Sequence, residues 1–340
     1  MKILLIIAVF AFIFWSYGST VKDIYLVYKK RKLNSQMKKM EVEARSDEVR
    51  TIRRTAKKKQ LEPFVELINA ASSDTIGELV STNFKSPLLE KFAQQHDGNA
   101  KAHFLYGNLL IDKAWKARSG AVAEQVSEKQ FDGFFNFLSQ SEQSLLKSRD
   151  LDRTFVGVYS SLLTVAMGQS DKERAYQIYK EASQLAPERL DYHLNMLVLL
   201  TEKWLGTEEE MFEFARKHAR RVSTGPLKGL IPAAHFEAQL FLEADEKEAY
   251  FSQSEIQQEI REAYAGVENI EAGVGFNERH QYFLALNFFV VIFQYMEDNK
   301  TAREIYEKIG GNHTDSPWGN IGKDTREAFM KYKRLAYEGK

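Results

Sequence analysis

The chain has 340 residues, 44% of them apolar, enough for one large or two medium domains around a substantial core, which excludes a disordered protein. It contains no cysteine, so disulfides, thiolate zinc sites and a cysteine nucleophile are excluded as well. Its 47 basic and 47 acidic residues cancel, but unevenly: residues 29–59 hold 13 Lys or Arg against 4 acids, so a basic neck joins an acidic body.

At the amino terminus Ile3 to Trp15 form an unbroken apolar run, and the uncharged stretch continues to Val21, 19 residues in all. As a helix it would rise ~28 Å, the thickness of a hydrocarbon core. Residues 1–21 are therefore expected to be a transmembrane anchor. A cleaved signal peptide is the alternative, because Lys2 precedes the run and Ser16-Tyr17-Gly18 supplies small residues for cleavage. Lys22 and the cluster Lys29-Lys30-Arg31-Lys32 follow closely, and basic flanks favour the cytoplasmic side. The body is expected in the cytoplasm, with the periplasm as the alternative.

Residues 22–60 read as a basic helical neck, rich in helix formers and free of Gly and Pro until Pro63. Val42, Val49 and Ala56 recur at seven, but Met37, Met40 and Ile52 do not complete a heptad seam. Lys29, Lys30, Arg31, Lys32, Arg53, Arg54, Lys57, Lys58 and Lys59 are candidate contacts to anionic headgroups. Each would contribute about 1 kcal/mol at a membrane surface. Residues 29–59 have no aromatic residues interleaved among the basic ones for stacking on bases, so no nucleic-acid partner is expected.

From residue 61 to 340, apolar residues recur at three and four, punctuated by Ser72-Ser73-Asp74, His96-Asp97-Gly98-Asn99, Gly168-Gln169-Ser170-Asp171, Gly225-Pro226 and Glu297-Asp298-Asn299. No alternating strand pattern stands out, so the body is expected to be all-α, built of helices joined by short turns. Tyr159 to Pro187 resembles a tetratricopeptide repeat: Leu162, Ala175, Tyr179, Ala182 and Pro187 stand at that family's spacing, although Leu163 replaces its first-helix glycine. Ala102 to Leu110 and the pair Ala302, Tyr306 repeat parts of the pattern. The resemblance implies an irregular tetratricopeptide-like helical repeat, an α-solenoid, behind the N-terminal transmembrane helix. An enclosed bundle is the alternative. Residues 282–296 are the most apolar stretch of the body; interrupted by Asn287 and Gln294, they read as a buried central helix rather than a span.

Residues 204–221 concentrate charge. Thr207 and Glu210 have the spacing of a capping box, Glu208 and Glu209 would occupy the first turn, and Lys217, His218, Arg220 and Arg221 would face the negative end of the helix dipole. Gly225-Pro226 would stop the helix, and Met211, Phe214, Ala215 and Val222 would form its packed face. The glutamates thus read as a helix start rather than a catalytic cluster. The stretch from Trp204 to Glu237 is similar to a family of bacterial helical proteins without an assigned activity, in which a Trp-x-Gly turn leads into an acidic, then aromatic and basic helix. That likeness implies a bacterial source and, with the apolar run, a single-pass protein of the inner membrane.

Phosphate loops, H-E-x-x-H pairs, G-x-S-x-G elbows and EF-hand loops are missing from the sequence. The seven histidines, at 96, 103, 193, 218, 235, 280 and 313, never pair on one helix face. His235 and Glu237 are neighbours in sequence, but i and i+2 point about 200° apart on a helix. No catalytic, cofactor or metal residues are assigned and no small-molecule substrate is expected. The leading expectation is a membrane-tethered scaffold that binds another protein. The alternatives are an enzyme whose site is assembled from scattered residues and a membrane-surface factor acting through the neck.

Overall fold

The computed structural model describes residues 47–119, 125–273 and 275–338. The apolar run of residues 1–21 and the cluster at 29–32 lie outside the described residues. Among those described there is no strand, and no helix is long and apolar enough to cross a membrane. A single compact unit extends from Ser46 to Lys340.

The turn clusters of the sequence become helix starts, because short polar side chains there take up backbone N–H groups that a first helical turn leaves unpaired. After α1 (Asp47–Lys57) and α2 (Leu61–Ala70), Ser72 accepts from Thr75 N at the head of α3 (Ser73–Ser81). Following α4 (Leu88–Gln95), Asn99 accepts from Ala102 N to open α5 (Ala100–Arg118). Then come α6 (Glu128–Leu151) and α7 (Gly157–Gly168), and Asp171 caps α8 (Lys172–Leu185). Next are α9 (Leu190–Leu199), α10 (Glu208–Ala219), a 3₁₀ turn at Pro226–Gly229, α11 (Leu230–Ala238), α12 (Ala244–Phe251) and α13 (Ser254–Ala265). The chain ends with α14 (Phe276–Tyr295), α15 (Asn299–Ile309, capped by Asp298), α16 (Asp315–Ile321) and α17 (Thr325–Glu338).

Consecutive helices pack as pairs: α5 with α6, α7 with α8, α10 with α11, and α14 with α15. Helices α5, α7, α9 and α11 also touch one another in turn and form a layer. The α5–α6 contact is close because Gly107 leaves room for Leu145, whose Cδ2 would stand 2.7 Å from an added Cβ. Beside it, the hydroxyls of Ser141, Ser144 and Ser148 donate to the carbonyls of Gly107, His103 and Ala100 at 2.8 to 2.9 Å. In the α7–α8 pair Leu162, Ala175 and Ala182 are buried, and the Tyr179 ring packs among Tyr192, His193, Phe214 and His218.

Helix α14 is the apolar stretch of the sequence, and residues 284–293 are buried without interruption. A helix that is apolar all round belongs inside a protein. It packs on α3, α9, α11, α15 and α16, and so lies against the layer that an open array of helix pairs would leave exposed. At the other end, Val49, Ile52 and Ala56 of α1 are buried, and α1 packs on α2 and α3, which accounts for the spacing of seven from Val49 to Ala56; Val42 lies outside the described residues.

Three details of the 204–221 stretch differ from expectation. Thr207 caps α10 by accepting from Glu210 N at 3.1 Å, but the Glu210 carboxylate reaches Lys172 Nζ at 3.0 Å instead of returning to the Thr207 backbone. Long-range pairing outcompetes half of the capping box. His218 turns into the core and is no solvated cation at the helix end. The helix stops at Ala219, ahead of Gly225-Pro226, and Val222 falls outside it. Thr207→Ala is expected to lower stability by about 1 kcal/mol, measured by urea denaturation.

Candidate functional site

On α5, Phe104, Asn108, Ile111 and Trp115 stand at i, i+4, i+7 and i+11, one stripe of a helix. The stripe runs the length of a cleft between the α5–α7–α9 layer and α14. Phe104, Asn108 and Ile111 line a polar chamber of about 250 Å³, and Trp115 lines an aromatic chamber of about 260 Å³. The other helices divide in the same sense: Ser160 and Thr164 of α7, Asp191 of α9 and His280 of α14 face the first chamber, while Met167, Leu194 and Phe288 face the second. Asn195, a wall of the second, donates to Ser160 O, Ser160 Oγ and Thr164 Oγ1 in the first at 2.7 to 3.2 Å.

The polar chamber is organised by an ion pair. Arg189 Nε donates to both Asp191 oxygens at 2.9 and 2.8 Å, and Nη2 adds a contact of 2.7 Å. Tyr192 N and Gln281 Nε2 also donate to Asp191, and Gln281 Oε1 accepts from Asp191 N. Burial acts to raise the Asp191 carboxyl, but Arg189 and these bonds outweigh it and hold the group below its usual range. Burial also lowers the neighbouring His280 imidazole, against the pull of Asp191. His280 stacks on Phe276, and Asp74 of α3 fixes the start of α14 by accepting from Phe276 N and Asn277 N. The hydroxyls of the chamber are bonded to amides: Ser161 donates to Asn108 and Ser160 faces Asn195. The hydroxyls, amides and ion pair that line the chamber can hold polar groups.

The aromatic chamber has Trp115 and Trp204 edge to face, with centroids 5.9 Å apart. Glu237 of α11 enters it with a side chain 7% exposed and, among the described residues, no hydrogen bond and no ion pair. Burial pushes its carboxyl up to about 7, opposed by the charge of Lys203. His235, two residues earlier, points elsewhere as the helix geometry requires: its ring nitrogens meet Tyr250 Oη at 2.7 Å and Glu259 Oε2 at 3.2 Å. Arg216 completes that network by forking onto Glu259 at 2.8 and 2.9 Å. The Arg216 and His235 hydrogen bonds hold the Glu259 carboxyl down at about 2.

The structure also joins two histidines 25 positions apart in sequence, His193 and His218, whose rings lie 4.9 Å apart beside Tyr179. Burial is the main cause pushing each down to about 4. Both are neutral in the folded protein, whereas an unfolded histidine protonates near pH 6.5. Stability present above pH 6.5 is therefore lost as pH falls toward 4, because only the unfolded chain takes up these protons. Replacing both by Gln is expected to flatten that slope, reducing the pH 7 to pH 4.5 stability difference by roughly 3 kcal/mol or more in urea denaturation. Glu237 works oppositely: raised to about 7, it contributes stability below pH 4.5 that is lost as pH rises through 7. Being present in both proteins, it cancels from the comparison. Among the described residues no group of three or more His, Asp or Glu side chains could hold a metal ion.

Of the basic residues singled out by sequence, Arg54, Lys57, Lys58 and Lys59 are exposed at the end of α1 and just beyond it. Arg53 is committed to the fold: Nη2 donates to Thr82 O and Oγ1, and the guanidinium lies 5.3 Å from the Phe84 ring centre. Comparison of the chain with family models, with curated proteins and with solved structures finds no match.

Proposed function

We propose that this chain is a membrane-tethered, tetratricopeptide-like helical module that holds a protein partner through the polar chamber. The observation that carries this reading is the convergence on one cleft of polar side chains from α3, α5, α7, α9 and α14, each on a rigid helix. A volume of about 250 Å³ admits one or two polar side chains of a partner, with the Arg189–Asp191 pair and the amides of Asn108 and Asn277 as hydrogen-bonding walls. The apolar run of residues 1–21 is the proposed anchor in a bacterial inner membrane, with the body toward the cytoplasm. The exposed row Arg54, Lys57, Lys58 and Lys59 supports contact between the neck and anionic lipid.

A photo-crosslinking residue at Ser81, on the chamber wall, is expected to give a discrete adduct with one protein in native membranes. The same residue at Tyr176, 45% exposed on α8, should not. Adducts from Tyr176 and none from Ser81 would place any partner on another face and reject the reading.

A further inference from the structure

We propose that the aromatic chamber around Glu237 is a binding site for a small organic ammonium ion. The inference does not rest on the protein partner proposed above, since it concerns the other end of the cleft. It begins with a contrast among three carboxylates packed between helices. Asp191 is satisfied by Arg189, Tyr192 N and Gln281, and Glu259 is satisfied by Arg216 and His235. Glu237 is buried, at 7% exposure, where Asp191 and Glu259 are part-exposed; it lines the cavity and, among the described residues, has no donor bonded to it. A carboxylate that meets no donor of the protein and opens onto a cavity is placed to receive one from a ligand.

The walls select the ligand. Trp115, Trp204 and Phe288 present aromatic rings, and Met167, Leu194 and Val198 supply apolar surface. Ring faces attract cations, tryptophan most strongly, and a desolvated carboxylate adds a full opposite charge. The Trp204 indole already receives a cation, Lys203 Nζ at 5.8 Å from the ring centre. A hard metal ion would need several oxygen ligands, and an anion would be repelled. At about 260 Å³ the chamber is smaller than sites for drug-sized molecules, which suits an ion of choline or phenethylammonium size. Lys203 itself is exposed at the rim, so its charge stays in water.

The test uses the full chain and tryptophan fluorescence, since two of the four tryptophans line the chamber. Choline and phenethylammonium are titrated against 3,3-dimethylbutan-1-ol, the uncharged isostere of choline. At least one ammonium probe is expected to bind saturably, with choline preferred over the neutral alcohol by about tenfold or more. Glu237→Gln should remove that preference while the melting transition is retained. In the native protein, ammonium affinity should fall about tenfold per pH unit below pH 7, as protons compete for the carboxylate. Equal affinity for choline and its isostere, absence of saturable binding by both ammonium probes, or a preference that survives in a folded Glu237→Gln protein would overturn the proposal. Should the variant fail to fold, the isostere comparison and the pH dependence in the native chain decide it.

Discussion

Gly206→Ala is expected to destabilise the protein by about 3 kcal/mol, at the upper end of the range for forced overpacking. A Cβ at this position would stand 2.2 Å from Leu200 O, 2.5 Å from Leu200 C and 2.6 Å from Leu200 Cα. Those atoms belong to backbone, so no side chain can rotate away to relieve the contact. The turn is also tightly bonded: Trp204 N and Gly206 N donate to Thr201 O, and Leu205 N donates to Leu199 O. Admitting the methyl group means separating the end of α9 from the start of α10. Because Lys203 and Trp204 ride on this turn, the same change should open the aromatic chamber and expose Trp204 to a soluble quencher. Gly98→Ala is the control, since its Cβ would meet nothing within 4 Å. Chemical denaturation of the two proteins should show a large loss for the first and a change within about 1 kcal/mol for the second. Similar stabilities would mean that the turn is looser than its geometry.

What could be seen in advance follows from the range of each interaction. The punctuation Ser72, Asn99, Asp171, Thr207 and Asp298 was legible because an N-cap is decided within four residues of chain. Helix α14 was legible because an unbroken apolar helix has only the interior to occupy. Even the divergence of His235 and Glu237 followed from 100° per residue. The cleft was not legible. Trp115, Trp204, Glu237 and Phe288 are dispersed over four segments, and nothing in the local pattern around any of them announces a shared chamber. Arg189 and Asp191 carry no local signal of a site, because it takes α14, 90 residues away, to bring Gln281 against them. Glu210 shows the same limit from the other side: a local rule assigned it to Thr207, and a lysine 38 residues earlier claimed it. Neither chamber could be read from the sequence because both are products of tertiary packing.

Trp318→Ala should cost more than any surface change, about 3–5 kcal/mol for loss of a fully buried indole, and more where the site cannot collapse. Trp318 is 0% exposed, packs edge-on against Phe329 and Tyr332, and donates from Nε1 to Asn287 Oδ1 at 2.6 Å. Asn287 in turn donates to Phe283 O and Asn312 O, which accounts for a polar residue in the middle of the apolar run. The hydrogen bond and the packing can be separated. Trp318→Phe keeps most of the ring volume and leaves Asn287 Oδ1 buried without a donor, an expected loss of about 1–3 kcal/mol. Asn287→Leu strands the indole N–H and the Asn312 carbonyl and should cost a similar amount. Combining Trp318→Phe with Asn287→Leu removes both ends of one bond, so the double variant should be less damaged than the sum of the singles by about 1 kcal/mol or more. Strict additivity in denaturant unfolding would show that the two residues do not depend on each other. The pair also reaches the site: α16 contributes Ser316 and Asn320 to the aromatic chamber, and α14 contributes Phe288, the neighbour of Asn287. Loosening the Trp318–Asn287 link should therefore weaken ammonium binding at temperatures where the protein is still folded, whereas Thr207→Ala, on the outside of α10, should leave it unchanged.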